Sequence, residues 1–273
     1  MIAASRTRVA TAIHEQNAVL GRANRLLASR VLRIATSFEQ TSGIASADRS
    51  KIAMTGNPVR ASIAELATSA YPIPAHDGPL RLLIIGGSQG ARVFAELVPA
   101  ALTLLPPQMR TRLSVVQQCR PEDMQQVRAR HAADGIQAEC AVFFEDLPTR
   151  LESAHLVICR AGASTVAELA AAGRPAILVP FPFATDNHQS ANARALEAAG
   201  GARANDNRRR YRNGGDNANG DADGNDLHCQ SECLVEAAKV VNPGNEGKAG
   251  GESADGENGR GDTIHDQDDQ HPC

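Results

Sequence analysis

The sequence predicts an α/β fold built on a parallel sheet, and three observations carry that prediction. Between positions 80 and 200, short apolar runs alternate with helix-length segments, which is the order of βαβ units. Two of the runs pass directly into a glycine turn, Gly86-Gly87-Ser88-Gln89-Gly90 and Arg160-Ala161-Gly162-Ala163. Pro106-Pro107, Gly173 and Pro175 punctuate the segments where helices have to stop.

The 273 residues allow one or two domains, and a 42% apolar content supplies a core. Charge is distributed unevenly. Residues 203–273 hold 15 of the 31 acidic residues but 8 of the 28 basic ones, together with 11 of the 23 glycines. A mildly basic body of 202 residues therefore precedes an acidic tail that has too little apolar surface to offset its chain entropy, so the tail is expected to be disordered. Of the six cysteines, Cys119, Cys140 and Cys159 fall in or beside apolar runs, as buried thiols of a reducing, cytoplasmic compartment do. His228, Cys229 and Cys233 have a spacing that could hold a metal, but no second pair accompanies them in the ordered sequence, and no metal or cofactor is expected. No apolar run is long enough for a leader or a membrane span, so any membrane contact is expected to be peripheral. No basic patch interleaved with aromatics points to nucleic acid.

In order along the chain, residues 9–13 read as a strand entering His14-Glu15-Gln16-Asn17, and residues 20–27 have helical spacing. Strands follow at 31–38 and 51–55, the second entering Gly56-Asn57-Pro58-Val59-Arg60, where Pro58 keeps Asn57 extended. Residues 61–66 make a helical turn or two, and three prolines mark 71–79 as a linker. The second half reads strand 80–85, helix 91–105, strand 113–117, helix 121–133 with Pro121 at its first position, strand 139–144, helix 147–153 and strand 156–159. Thr165 then reads as the cap of helix 166–172, with Glu168 reaching back in a capping box. A strand at 176–179 and the run Asp186-Asn187-His188-Gln189 lead into a last alanine-rich helix. Two helix N-termini thus meet the same strand ends, where phosphate is favoured.

The glycine turn at 86–90 is neither a dinucleotide fingerprint nor a phosphate loop with Gly-Lys-Ser/Thr. It does match G-x-S-x-G, with Asp146 and His188 following in the order of a serine acyl hydrolase. Against that reading, the turn follows the first strand of its sheet, and Arg160-Ala161-Gly162 is left without a purpose. His14-Glu15 is not a zincin helix, because Ala18 stands four places after His14.

Taken together, Ile13-His14-Glu15-Gln16-Asn17, Gly56-Asn57-Pro58-Val59-Arg60, Gly86-Gly87-Ser88-Gln89-Gly90-Ala91-Arg92, Cys159 to Glu168 and Asp186 to Asn192 resemble the MurG family. These are the glycosyltransferases, family 28, that transfer N-acetylglucosamine from UDP-GlcNAc to undecaprenyl-pyrophosphoryl-MurNAc-pentapeptide in peptidoglycan synthesis. The resemblance implies a GT-B fold with a Rossmann-like donor domain, and it covers about residues 9–202. It implies that residues 1–60 are a remnant of the acceptor-binding domain, residues 61–202 the nucleotide-sugar domain, and residues 203–273 an unrelated tail. For substrate binding it implies Glu168 on the ribose hydroxyls, Ser88 on a phosphate, His188 and Gln189 on the sugar, Phe144 on uracil through its backbone, and Arg60 near the base. Asn17 and Gln89 lie in the matched motifs as further binding residues. Inverting displacement at the anomeric carbon by the acceptor hydroxyl would follow, at the cytoplasmic face of the inner membrane.

The chain departs from the family pattern at three places, and more mildly at position 188, which is His where the family also has Gln. The family's opening glycine-rich loop and most of its acceptor domain belong before residue 9, where eight residues stand, so the catalytic groups are expected outside this sequence. Ala95 stands at a family asparagine, and the closing strand and helices are not legible after Ala202. The chain therefore reads as an incomplete family member.

Overall fold

The computed structural model describes residues 3–4, 9–87 and 92–205. The expected disordered tail and the His228, Cys229 and Cys233 spacing lie outside the described residues.

A small three-stranded parallel sheet comes first, in the order β1 (Ala12–Glu15), β2 (Arg33–Thr36), β3 (Ile52–Met54), with helix α1 (Arg22–Leu27) between its first two strands. Ile13, Leu20, Val31, Ile34 and Ile44 are its core. His14 and Glu15, expected in a turn, are the last residues of β1, because they pair in register with Ala35 and Thr36. Helix α2 (Ala61–Ala64) then leads over a proline-rich connection to the main sheet.

The main sheet has six parallel strands: β4 (Leu80–Ile85), β5 (Leu113–Gln118), β6 (Gln137–Ala141), β7 (Leu156–Cys159), β8 (Ala176–Leu178) and β9 (Ala202–Ala204), in the order β6-β5-β4-β7-β8-β9. Its helices are α3 (Val93–Thr103), α4 (Pro107–Arg110), α5 (Met124–Ala133), α6 (Leu147–Ser153), α7 (Ala163–Ala172) and α8 (His188–Ala198). Both faces are covered at the centre of the sheet, which is why β7 and β8 are apolar and buried without alternation. Leu82, Ile84, Val115 and Ile158 pack on one face against Phe94, Leu97 and Val98 of α3. Leu83, Val157, Cys159 and Leu178 pack on the other against Val166 and Leu169 of α7, Leu151 of α6 and Ile63 of α2.

Several boundaries differ from the sequence expectation, and three of the differences have a physical reason. The strand expected at 139–144 is Gln137–Ala141, because β5 ends at Gln118 opposite Ala141 and leaves nothing further for β6 to pair with. Pro121 does not open α5; it lies in a turn three residues ahead of Met124. A last strand does follow Ala202: β9 pairs with β8 from Ala202 to Ala204, and the Asn205 amide donates to the Leu178 carbonyl at 2.8 Å. The end of α7 is as expected, with Gly173 at φ 62°, a left-handed conformation that costs a glycine nothing. Arg174 behind it is buried and donates to the carbonyls of Leu151 at 2.8 Å and Glu152 at 3.0 Å, closing the end of α6.

Cys119, Cys140 and Cys159 are buried free thiols, and burial pushes the Cys159 thiol up to about 12. His131 on α5 is fully buried, with Nε2 2.9 Å from Gln117 Oε1 and Nδ1 without a partner among the described residues. Burial lowers its pKa, so the folded state refuses a proton that the unfolded chain accepts. Stability on this account is complete above the ordinary histidine value of about 6.5 and is lost as pH falls below it. Urea denaturation at pH 7.5 and pH 5.5 should give the lower midpoint at pH 5.5, with the difference reduced in His131→Gln. An equal drop in both proteins would remove His131 as its source.

Candidate functional site

The strand order places a crevice at the end of the main sheet. From β4 the chain moves outward to β5 and β6, then returns to β7 and moves the other way, so the connections after β4 and β7 diverge. Such a switch point is where open α/β sheets bind ligands. The two turns singled out in the sequence, Gly86-Gly87 and Arg160-Ala161-Gly162, open into it. Gly87 has φ 84°, which a side chain would strain.

Beside the β4 end lies a cavity of about 210 Å³. Ile85, Gly87 and Gln118 form its floor, Phe143 and Phe144 come from the loop after β6, Leu147 and Leu151 from α6, Thr165, Glu168 and Leu169 from α7, and Arg60 from the segment before α2. The lining thus brings Arg60, Phe144 and Glu168 together, although 108 residues separate the first from the last.

Glu168 does not make the expected capping box. The N-cap of α7 is Gly162, and no side chain caps it. The carboxylate instead takes Arg60 in a two-point pair, Nε to Oε1 at 2.8 Å and Nη2 to Oε2 at 3.0 Å. That hydrogen-bonded geometry is worth more to the carboxylate than a reach back along its own helix, and it raises the Arg60 pKa. A carboxylate has about four acceptor sites, so two remain for a ligand. Phe144 is buried, and the Arg150 guanidinium covers its ring at 4.3 Å. Arg150 is held by both oxygens of Glu139 at 2.8 Å and by Asp146 Oδ1 at 2.7 Å.

At the β7 and β8 ends, Arg160 lies 5.4 Å from the Phe94 ring and 5.5 Å from the Phe181 ring, and donates to the carbonyls of Val179 at 3.1 Å and Pro180 at 3.0 Å. Burial lowers its pKa to about 10, so it is charged at neutral pH. No carboxylate pairs with it among the described residues.

Asn17 reaches this end from the small sheet. Its Oδ1 accepts from Asn192 Nδ2 at 3.0 Å, Asn192 Oδ1 accepts from the Ala18 amide at 2.8 Å, and Asn192 Nδ2 also donates to the Ala161 carbonyl at 3.1 Å. The Asn17 amide and side chain both donate to Glu15 Oε1, at 3.0 and 3.2 Å, while Gly21 and Asn24 donate to Oε2. Burial alone would raise the Glu15 pKa, but these four bonds outweigh it and hold the carboxyl below its usual value. His188 and Gln189 begin α8 outside the cavity lining: His188 Nδ1 meets the Thr185 carbonyl at 2.7 Å, and Gln189 Oε1 accepts from the Phe181 amide at 2.9 Å. Asp186 and Asn187 ahead of them have φ 52° and 58°, a pair of left-handed residues of the kind that clusters at functional loops. Ser88 and Gln89 lie outside the described residues.

The hydrolase arrangement is not made. Asp146 follows β6 and His188 follows β8, four strand spacings apart, about 19 Å. Asp146 is engaged with Arg150, and the His188 nitrogen that would face an acid faces Thr185 instead. Sequence reasoning missed two residues that the geometry brings forward, Gln118 and Asn192. The signal for Gln118 was a pair of glutamines, Gln117 and Gln118, closing a strand; for Asn192 it was a polar residue on the inward face of an alanine-rich helix, where it is fully buried.

Comparison with known proteins agrees with this geometry. The family model for the glycosyltransferase family 28 C-terminal domain matches residues 81–211. The chain is 59% identical over 204 residues to the UDP-N-acetylglucosamine--N-acetylmuramyl-(pentapeptide) pyrophosphoryl-undecaprenol N-acetylglucosamine transferase of Rhodospirillum rubrum, covering 74% of this chain and 51% of that protein. It is 56% identical over 202 residues to the enzyme of the same name from Paramagnetospirillum magneticum, covering 74% of this chain and 54% of that protein. The crystal structure of Acinetobacter baumannii MurG superposes with a TM-score of 0.62 at 28% identity, covering 89% of this chain and 65% of that one. The chain spans about half the length of the curated relatives it matches. With a six-stranded parallel sheet in the matched segment and more than half of the aligned residues identical to those relatives, residues 81–211 belong to the glycosyltransferase family 28 C-terminal domain.

Proposed function

We propose that residues 61–202, with the strand that ends at Ala204, form the nucleotide-sugar half of an inverting hexosyltransferase of peptidoglycan synthesis. The donor is UDP-GlcNAc and the acceptor is undecaprenyl-pyrophosphoryl-MurNAc-pentapeptide. The observation that carries this reading is the cavity at the switch point, where Arg60, Phe144 and Glu168 converge beside a glycine turn.

The chemistry suits each part of the donor. Glu168 offers its two remaining acceptor sites to the ribose diol. Uracil lies against the backbone at Phe144, with Arg60 at the cavity rim. The turn at Gly86-Gly87, with Ser88 beyond it, and the N-terminus of α7 take the pyrophosphate, whose charge grows as the acceptor hydroxyl displaces it from the anomeric carbon. His188 and Gln189, with Asn17 opposite, mark the sugar end. The acceptor's lipid places the work at the cytoplasmic face of the inner membrane by peripheral contact; no described helix is long and apolar enough to cross a membrane.

Calorimetric titration of the full chain with UDP-GlcNAc, UDP and ADP tests the reading. Binding of both uridine ligands and rejection of ADP is expected. Equal affinity for ADP and UDP would remove the assigned base site.

A further inference from the structure

We infer that Gln118 is a positioning residue that locks the phosphate turn to the base wall, so that the site reads the diphosphate and the nucleoside as one unit. The inference deepens the donor-site reading and rests on it.

Gln118 is the last residue of β5, the strand between β4 and β6, and it sits where both neighbours leave the sheet. Its side chain is 6% exposed and lines the cavity. Oε1 accepts from the Gly86 amide at 3.0 Å, while Nε2 donates to the Gly87 carbonyl at 3.0 Å and to the Val142 carbonyl at 3.1 Å. Two of these bonds fix the peptide planes of the turn after β4, and the third fixes the residue ahead of Phe143 and Phe144. Both hydrogens of Nε2 are spent, so Gln118 has no N–H left to offer a ligand. Its effect must pass through the two loops it joins.

That arrangement makes a specific demand. A nucleoside alone needs the wall at Phe144 and the Glu168 carboxylate but not the turn, whereas a nucleoside diphosphate needs the wall and the turn at one fixed separation. With Gln118 in place, that separation is set before the ligand arrives, and the ordering cost is absent from binding. Without it, the turn is free of the wall, and the diphosphate loses more than the nucleoside does.

The test measures dissociation constants for uridine and for UDP by NMR titration of the full chain, in wild type, Gln118→Met and Gln118→Glu. The readout is the ratio of the uridine constant to the UDP constant. Both substitutions should lower that ratio about tenfold, the effect of losing one to two hydrogen bonds, with uridine affinity changed less. Gln118→Glu keeps the acceptor for the Gly86 amide but turns an anionic oxygen on two carbonyls, so its loss should be at least as large. A general loss of stability lowers both affinities in parallel and leaves the ratio unchanged; a ratio within about twofold of wild type in a folded variant would overturn the inference. If Gln118→Met does not fold, the near-isosteric Gln118→Glu decides. Wild type that binds neither ligand overturns the donor-site reading itself, an outcome distinct from a wild type that binds UDP and a variant that keeps the ratio.

Discussion

Glu168→Ala is expected to lower the affinity for UDP by about tenfold to a hundredfold, because hydrogen bonds to a charged acceptor are worth about 1.5 to 3 kcal/mol each. The same substitution should change stability by at most about 1 kcal/mol. Its partner Arg60 is 53% exposed, and pairs at such positions contribute little to folding. The helix start is not affected either, since α7 is capped at Gly162 without help from Glu168. Glu168→Gln keeps a neutral acceptor and should fall between wild type and the alanine variant. Calorimetry on samples matched for helical content measures the effect, and unchanged UDP affinity in both variants would leave Glu168 as a surface ion-pair partner only.

The largest loss of stability is expected from Phe94→Ala. Phe94 is fully buried at the start of α3, where it packs on Ile84 and Ile158 of the central strands and supports the Arg160 guanidinium 5.4 Å away. Removing a buried phenyl ring costs about 3 to 5 kcal/mol, a large part of the about 5 to 15 kcal/mol that holds a typical domain. The urea midpoint should fall accordingly. A destabilisation below about 1 kcal/mol would mean that the α3 face is not the core described.

The fold was legible where apolar runs are long and bounded. The strand at Leu80–Ile85, the helix at Leu147–Ser153 and the strand at Leu156–Cys159 all lie where periodicity and punctuation put them. It was not legible where a partner decides. β9 is three residues with an arginine in the middle, and only pairing with β8 makes it a strand. β6 stops where β5 stops, a limit that its own sequence does not carry.

The candidate site divides in the same way. Local turn chemistry pointed to Gly86-Gly87 and Arg160-Ala161-Gly162, and both open at the switch point. The capping box failed for a reason that a local pattern cannot contain: Arg60, 108 residues away, offers Glu168 a two-point partner. Gln118 and Asn192 were hidden because their meaning lies in which loops they join, and that follows only from the strand order.

Hydrogen exchange of the full chain with and without UDP-GlcNAc tests the central claim most directly. If the switch-point cavity holds the nucleotide, added UDP-GlcNAc slows exchange in peptides covering residues 85–87, 142–147 and 160–169 and leaves the α5 segment around His131 unchanged. Saturating UDP-GlcNAc that leaves exchange at 142–147 and 160–169 unaltered, in a chain whose β4 and β7 amides are otherwise well protected, would contradict the assignment of this cavity to the nucleotide.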